Sequence, residues 1–241
     1  DIFFCWGEKE YNAIINNYLK FKNKLFITGN PRVDILKKQV NNNFATKAYE
    51  IKKKHGNFIL YTSMFTNFNQ HTSPVFDEDL DINEHHSIKI LIAQGWDENG
   101  TRIKFLKNWL LFQKENWKIV MDFLNNFPTN FPDKKLLIRP HPNENIDVWK
   151  NVTKKLDNVE IVFDQESTCS WIMASEFLIS SNCTTAVESY LLNKKPINFA
   201  PGFLNEVQYD EPKIVSKNVL STKEMNETIR NYNPNYEKNE N

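Results

Sequence analysis

The sequence predicts an α/β fold built on a Rossmann-like parallel sheet. Five short apolar runs have the length of strands, at residues 58–62, 136–138, 159–163, 176–180 and 196–200. Helix-like stretches separate the last four of these runs, at about 145–157, 167–174 and 184–194. Strands that alternate with helices are typical of parallel sheets, because crossover helices cover both faces and leave the strands continuously apolar.

Composition and charge fit a reduced globular protein. The chain has 241 residues, 40% of them apolar and 13% aromatic, which is enough for one large domain or two small ones. Thirty basic residues balance thirty acidic ones, and zero net charge argues against a nucleic-acid protein held by bulk electrostatics. The sequence has no run of 18 apolar residues of the kind that predicts a transmembrane helix. The three cysteines fit neither a disulfide framework nor a CxxC pattern, and with no histidine–cysteine cluster we expect no cofactor and no metal.

The first 55 residues read as the end of one α/β domain. We expect a buried strand at 2–6, a helix at 10–21 and a strand at 24–28, followed by a turn at Gly29-Asn30-Pro31-Arg32. The polar stretch 33–54 is predicted to be helical, with a break at 41–43. We therefore expect residues 1–55 to be the end of an N-terminal Rossmann-like domain with its linker, and the chain to be a fragment or to lack most of that domain.

Residues 56–230 are predicted to form a C-terminal Rossmann-like domain, and residues 231–241 a flexible tail. A helical insertion at about 77–127 interrupts the strand–helix rhythm, with helices at 84–95 and 101–127. We expect Trp109, Phe112 and Trp117 to belong to the core. His85 and His86 have no partner at a metal-ligand spacing and are expected at the surface.

A loop with two prolines follows the run at 136–138. Arg139-Pro140-His141-Pro142 must leave the strand in an extended conformation, because neither proline allows a helix there. Ligands of parallel sheets bind beyond the carboxyl ends of the strands, so Arg139 and His141 are candidates for binding a phosphate or carboxylate. The alternative is a rigid turn in which Arg139 makes a structural ion pair.

A second polar turn follows the run at 176–180. Ser181, Asn182, Thr184 and Thr185 lie between this strand and a helix, where hydroxyls and backbone N–H groups can face an anion. Glu188 lies three residues after Thr185, which predicts a capping box; alternatively, its carboxylate takes the two hydroxyls of a ribose.

The two turns are expected to converge on one diphosphate or nucleotide-monophosphate site. The sequence contains no GxGxxG motif and no P-loop, which argues against ordinary dinucleotide and ATPase sites. The loop at 163–167 is either a source of backbone contacts to a base or an ordinary exposed turn. The loop after 58–62 supplies candidates for binding the hydroxyls of an acceptor or a donor sugar, namely Thr62, Ser63, Asn67, Asn69 and His71.

These motifs resemble a known family. Arg139-Pro140-His141-Pro142, followed by Ser181-Asn182-Cys183-Thr184-Thr185-Ala186-Val187-Glu188, resembles the C-terminal half of GT-B glycosyltransferases. The nearest group is bacterial surface-carbohydrate biosynthesis, with capsule Kdo transferases, HP-motif sialyltransferases and CDP-glycerol polymerases. Trp6-Gly7-Glu8 and Thr28-Gly29-Asn30-Pro31-Arg32-Val33-Asp34 resemble the end of that group's N-terminal domain, and Thr62 to His71 resembles its first C-domain loop.

The resemblance, which covers most of residues 1–203, implies a transferase of capsule or lipopolysaccharide synthesis whose C-terminal half holds a CMP- or CDP-linked donor. In it, His141, Thr184 and Thr185 would hold the nucleotide phosphate, Glu188 would contact the ribose, and Arg139 would support the loop or add charge. The family's catalytic base lies in the N-terminal domain, so no catalytic base is assigned here. The implied partners are the nucleotide-sugar donor and a glycan or lipid-linked acceptor. The implied location is the cytoplasm, with peripheral association at the inner face of the plasma membrane left open.

Other functions stay open. A CDP-glycerol-type polyol-phosphate transferase would use the same kind of site, as would a sugar-nucleotide epimerase. The epimerase needs acid and base carboxylates in the cleft, and the sequence places no convincing pair. A non-catalytic GT-B-like scaffold that binds a partner enzyme is the alternative from another class.

Overall fold

The N-terminal part of the chain is a small βαβ unit. A computed structural model describes residues 2–36, 42–71, 77, 79–202 and 207–232. In it, β1 (Phe3–Cys5) pairs in parallel with β2 (Leu25–Ile27), and α1 (Glu8–Asn17) and a 3-10 turn (Leu19–Lys24) connect them. The expected strand is present, but its predicted burial is wrong. Phe3 and Phe4, which point to opposite faces, are 47% and 55% exposed, and Cys5 is the buried residue of β1, because a two-stranded sheet packed with α1 leaves part of both faces open.

Six parallel strands form the main sheet, in the order β5-β4-β3-β6-β7-β8. They are β3 (Ile59–Thr62), β4 (Leu136–Arg139), β5 (Val159–Ile161), β6 (Leu178–Ser180), β7 (Ile197–Phe199) and β8 (Lys217–Val219). All five predicted strands are confirmed. The sequence analysis missed β8, because this three-residue edge strand exposes Lys217 and Asn218 and has no apolar run.

Helices cover both faces of this sheet. After α1, the helices of the described residues are α2 (Pro31–Asp34), α3 (Asn42–His55), α4 (His86–Ala93), α5 (Thr101–Asn130), α6 (Ile146–Thr153), α7 (Thr168–Ala174), α8 (Thr185–Leu191), α9 (Asp210–Val215) and α10 (Thr222–Arg230). Because side chains of a strand alternate between faces, Ile59 and Tyr61 pack with residues of α5, α6 and α10, whereas Leu60 packs with residues of α3 and α7. This doubly wound arrangement confirms the Rossmann-like α/β prediction.

Helix α5 carries the aromatic core of the predicted insertion. Trp109, Phe112 and Trp117 are buried, as expected, and the helix extends three residues beyond the predicted end at 127. The surface position predicted for His85 is wrong. Its side chain is 6% exposed, and its Nδ1 accepts a hydrogen bond of 3.3 Å from the backbone N–H of Ser87, which caps α4.

Two predicted boundaries fall partly outside the described residues. The predicted helical stretch 33–54 divides into α2 and α3, and residues 37–41 between them are not described. Of the predicted flexible tail, only residues 231 and 232 are described, and the ring of Tyr232 stacks on Phe177 with centroids 4.0 Å apart. None of the described helices combines the length and the apolar composition needed to cross a membrane.

Candidate functional site

The candidate site lies where the strand order reverses. The chain passes from β3 to its neighbour β4, and β6 then pairs with the other edge of β3. The loops after β3, β4 and β6 therefore meet at the carboxyl edge of the sheet. Doubly wound sheets bind ligands at such switch points. A pocket of about 160 Å³ lies between these loops, lined by Thr62, Ser63, Arg139, Pro140, His141, Pro142, Phe163, Asp164, Gln165, Thr168, Cys183 and Thr185.

His141 enters this pocket as a neutral hydrogen-bond donor. Its Nδ1 accepts a hydrogen bond of 3.2 Å from the backbone N–H of Asn143, which leaves the ring proton of the neutral imidazole on Nε2. The side chain is half-buried, and this burial lowers the pKa of His141, so the ring is neutral at physiological pH. A second bond, of 3.3 Å, runs from the backbone N–H of His141 to Ser63 Oγ and ties the loop to the end of β3.

Arg139 holds the neighbouring loop rather than presenting a free charge. Its Nη1 lies 2.7 Å from Asp164 Oδ1, and its Nη2 donates a bond of 2.6 Å to the backbone carbonyl of Glu166. The guanidinium thus fixes the loop at 163–167 against β4 while still lining the pocket. This is the structural ion pair that the sequence analysis kept as an alternative.

The turn after β6 divides its polar residues between the core and the pocket. The Ser181 hydroxyl bonds Tyr61 Oη at 2.6 Å, and the Asn182 amide bonds the backbone of Tyr209 through both its oxygen and its nitrogen. Both side chains are buried, and Asn182 adopts a left-handed backbone with φ of 52°. Ser181 and Asn182, which were predicted to contact the nucleotide, therefore use their side chains to hold the turn.

The threonines of this turn also differ from each other. Thr184 is exposed and lies outside the residues that line the pocket, whereas Thr185 lines it. Thr185 Oγ1 lies 2.8 Å from Thr62 Oγ1 at the end of β3. One of these two hydroxyls donates to the other, so the hydrogen of the second hydroxyl is not used within the pair.

Glu188 contacts another part of the chain. The predicted capping box is wrong, because Thr184 caps α8 without a side-chain hydrogen bond and Glu188 turns to Arg32, 2.7 Å from its Nη2. Burial raises the pKa of Glu188 and the Arg32 guanidinium lowers it. Glu188 does not line the 160 Å³ pocket, and its predicted contact with a ribose stays a prediction.

A larger polar pocket adjoins the first. It has a volume of about 500 Å³, it shares Pro142 with the smaller pocket, and it is lined by Thr66, Asn67, Gln70, His71, Pro142 and Asn143. Of the residues predicted for a sugar or acceptor cleft, Asn67 and His71 line this pocket, whereas Thr62 and Ser63 line the smaller one. Asn69 is buried and donates to the backbone carbonyl of Asn145 at 3.2 Å, so its amide joins two loops.

Glu144 is the functional candidate that the sequence analysis missed. Its carboxylate is buried and accepts hydrogen bonds from Ser63 Oγ (2.8 Å), the Phe65 backbone N–H (2.8 Å) and Trp149 Nε1 (2.7 Å). Burial outweighs these donors and raises the pKa of Glu144 to about 7. The sequence gives only a weak signal for Glu144, a single acid just after the double-proline loop, because its partners come from the loop after β3 and from α6.

Comparison with known proteins identifies the fold. No protein-family profile and no curated protein matches the sequence. Solved structures do match. Methanocaldococcus jannaschii UDP-GlcNAc 2-epimerase, in complex with UDP-GlcNAc and UDP, aligns with 98% of this chain at 14% identity and a TM-score of 0.54. The wall teichoic acid polymerase TagF aligns with 96% of it at 13% identity and TM-scores of 0.52 for one structure and 0.54 for another, soaked with CDPG.

The chain has a GT-B-type fold. Its six-stranded parallel sheet with helices, and its alignment with part of each of these chains, confirm the predicted fold class. The chain spans 56% of the length of the epimerase and 48% of that of TagF, about half in each case.

Proposed function

We propose that this chain binds the nucleotide of an activated donor and supplies the donor half of a glycosyltransferase of surface polysaccharide synthesis. The observation that carries the proposal is that His141, Thr185 and Thr62 line one pocket at the switch point of the sheet. A neutral imidazole N–H and a threonine hydroxyl are suitable donors to phosphate oxygens. The GT-B-type fold supports the assignment, because the solved structures that share it include proteins of nucleotide-sugar and wall-polymer chemistry.

The donor is proposed to be a CMP-activated sugar. We place its phosphate between His141 and Thr185, and its base against Phe163, which lines the pocket and is 56% exposed. An exposed aromatic ring beside the pocket offers a face on which a base can stack. Arg139 supports the base-binding loop through its bonds to Asp164 and Glu166.

Stabilisation of the leaving group gives this site its role in transfer. When a sugar leaves a nucleotide phosphate, negative charge builds on the leaving oxygen, and fixed donors lower the energy of that state. His141 Nε2–H and the second hydroxyl of the Thr62–Thr185 pair would provide such donors, as their geometry is set before the ligand binds. Removal of one such donor typically lowers the rate by about 10²–10³-fold. The adjoining 500 Å³ pocket, with its amides and His71, is proposed for the transferred sugar or the acceptor.

Calorimetry with CMP, CDP, UDP and GDP tests the proposal. We expect the chain to bind CMP or CDP more tightly than UDP or GDP, and His141→Ala to raise the Kd of that ligand by at least about tenfold. His86→Ala is the matched control, since His86 is also half-buried and lies outside both pockets.

The outcomes separate the candidate functions. A much larger effect of His141→Ala than of His71→Ala supports the assignment, whereas small and equal effects contradict it. Preference for CDP over CMP favours a CDP-glycerol-type polyol-phosphate transferase, and preference for UDP favours an epimerase. No binding of any of the four nucleotides favours the non-catalytic scaffold.

A further inference from the structure

A single buried carboxylate connects the two loops that form the candidate site. Glu144 lies three residues after His141, in the loop between β4 and α6, and is 1% exposed. Its Oε2 accepts hydrogen bonds from Ser63 Oγ at 2.8 Å and from Trp149 Nε1 at 2.7 Å, while its Oε1 accepts one from the Phe65 N–H at 2.8 Å. The carboxylate thus contacts the loop after β3, its own loop and helix α6.

Ser63 links the Glu144 carboxylate to the backbone of His141. Because the Ser63 hydroxyl hydrogen is directed to Glu144, its oxygen is free to accept, and it receives the backbone N–H of His141 at 3.3 Å. When Glu144 is ionised, the order of donors is fixed, from the His141 N–H through the Ser63 hydroxyl to the Glu144 carboxylate. Backbone bonds run beside this chain, from the His71 N–H to the Asn143 carbonyl (2.8 Å) and from the Asn145 N–H to the Asn69 carbonyl (3.1 Å).

The same connection sets the direction of the imidazole. Nδ1 of His141 accepts the Asn143 N–H, and this contact keeps the ring proton on Nε2 only while the loop holds its conformation. Glu144 and Ser63 fix one end of that loop against the end of β3. Loss of the carboxylate would therefore change the orientation of the imidazole through the backbone N–H of His141, which interacts with Ser63 Oγ and also with the Glu144 carboxyl.

We propose that Glu144 is a positioning residue, which holds the His141 loop against the end of β3 through Ser63. This inference rests on the proposed function as far as ligand affinity is concerned. The effect on the His141 ring itself does not depend on which ligand binds, or on whether one binds.

Glu144→Gln is the perturbation that tests the proposal. An amide cannot accept from all three donors, because its NH₂ group must face either the Phe65 N–H or Trp149 Nε1–H. The control is Asn158→Ala, which removes two partly buried hydrogen bonds, to the carbonyls of Phe131 and Lys134, at the amino end of β5 and away from the site.

The first measurement is the ¹⁵N spectrum of the His141 ring in the protein without ligand. We expect Glu144→Gln to shift the two ring-nitrogen signals towards a mixture of tautomers, and Asn158→Ala to leave them unchanged. Unchanged His141 signals in a folded Glu144→Gln protein would overturn the proposal. If that variant does not fold, Ser63→Ala serves instead, because it keeps the carboxylate and removes the hydroxyl that links it to the His141 N–H.

The second measurement is a double-mutant cycle on the Kd of CMP and CDP. Glu144→Gln and Ser63→Ala are each expected to weaken binding by about tenfold, and the double variant by about the same factor, because both remove one connection. If the double variant instead weakens binding by about a hundredfold, the product of the two single effects, the two residues act independently and the proposal is overturned. Failure of the wild-type chain to bind any nucleotide would contradict the proposed function, while the ring spectra would still decide the role of Glu144.

Discussion

Replacing Glu144 by glutamine is expected to change how the stability of the protein depends on pH. Burial raises the pKa of this carboxyl from its ordinary 4.5 to about 7, so between these values the folded protein holds a proton that the unfolded chain releases. This difference in proton binding adds to the free energy of unfolding. The added stability is fully present below pH 4.5 and is lost as the pH rises through about 7. At 1.36 kcal/mol per pKa unit, the loss amounts to about 3 kcal/mol.

The glutamine variant has no proton to lose at this position. Near pH 5 we expect it to be less stable than the wild type by about 1 kcal/mol, because the amide NH₂ cannot accept from Phe65 or Trp149, whereas the O–H oxygen of the protonated carboxyl still can. Between pH 5 and pH 8 the wild type loses most of its additional stability, so the free energies of unfolding should cross and the variant should be the more stable protein at pH 8.

Urea unfolding of both proteins at pH 5, 6, 7 and 8 measures this difference. Burial lowers the pKa of His55, His85 and His141, whose contribution to stability has the opposite sign, and subtracting the two curves removes what is common to both proteins. Asn158→Ala should show a loss that does not vary with pH. A difference between Glu144→Gln and wild type that is constant from pH 5 to pH 8 would refute the reasoning, since it would mean that the three donors keep Glu144 ionised throughout.

Three further substitutions test the structure around the site. Asn182→Ala should lower the free energy of unfolding by about 2–3 kcal/mol, because alanine loses both hydrogen bonds to Tyr209 and must adopt the φ of 52° found at this position. Asn182→Gly should cost less in the same denaturant unfolding experiment, because glycine tolerates that φ. Gly202→Ala should cost about 1–3 kcal/mol, since its Cβ would lie 2.7 Å from an aromatic carbon of α5, and a melting temperature equal to the wild type would contradict this. Arg32→Ala should cost about 1 kcal/mol, because the Arg32 side chain is 69% exposed but the Glu188 carboxylate that it leaves without a partner is 12% exposed. The pKa of Glu188, followed by carboxyl NMR, should rise.

The positions of the strands, and the edge of the sheet at which the candidate site lies, could be predicted from local sequence patterns. Each of the five predicted runs is a strand, because a strand covered on both faces must be apolar along its length. The double-proline loop and the polar turn after β6 could be placed at one edge, because parallel strands direct all their carboxyl ends the same way. Trp109, Phe112 and Trp117 could be assigned to the core from their helical spacing.

Partners of individual side chains could not be predicted in this way. Ser181 and Asn182 were expected to contact a ligand, but Tyr61 and Tyr209 take their hydrogen bonds. The phenylalanines of β1 were expected to be buried, yet burial depends on what covers a strand and not on the strand itself.

The sequence by itself determined the doubly wound class of the fold, the order of its loops and the presence of His141 and Thr185 at one edge, since each of these follows from short-range periodicity. Only the tertiary structure decided which polar groups face the pocket. Glu188 bonds Arg32, 156 residues away, and Glu144 bonds Ser63, 81 residues away. Such contacts depend on how distant segments pack, and the burial that perturbs the pKa of Glu144 exists only once those segments have come together.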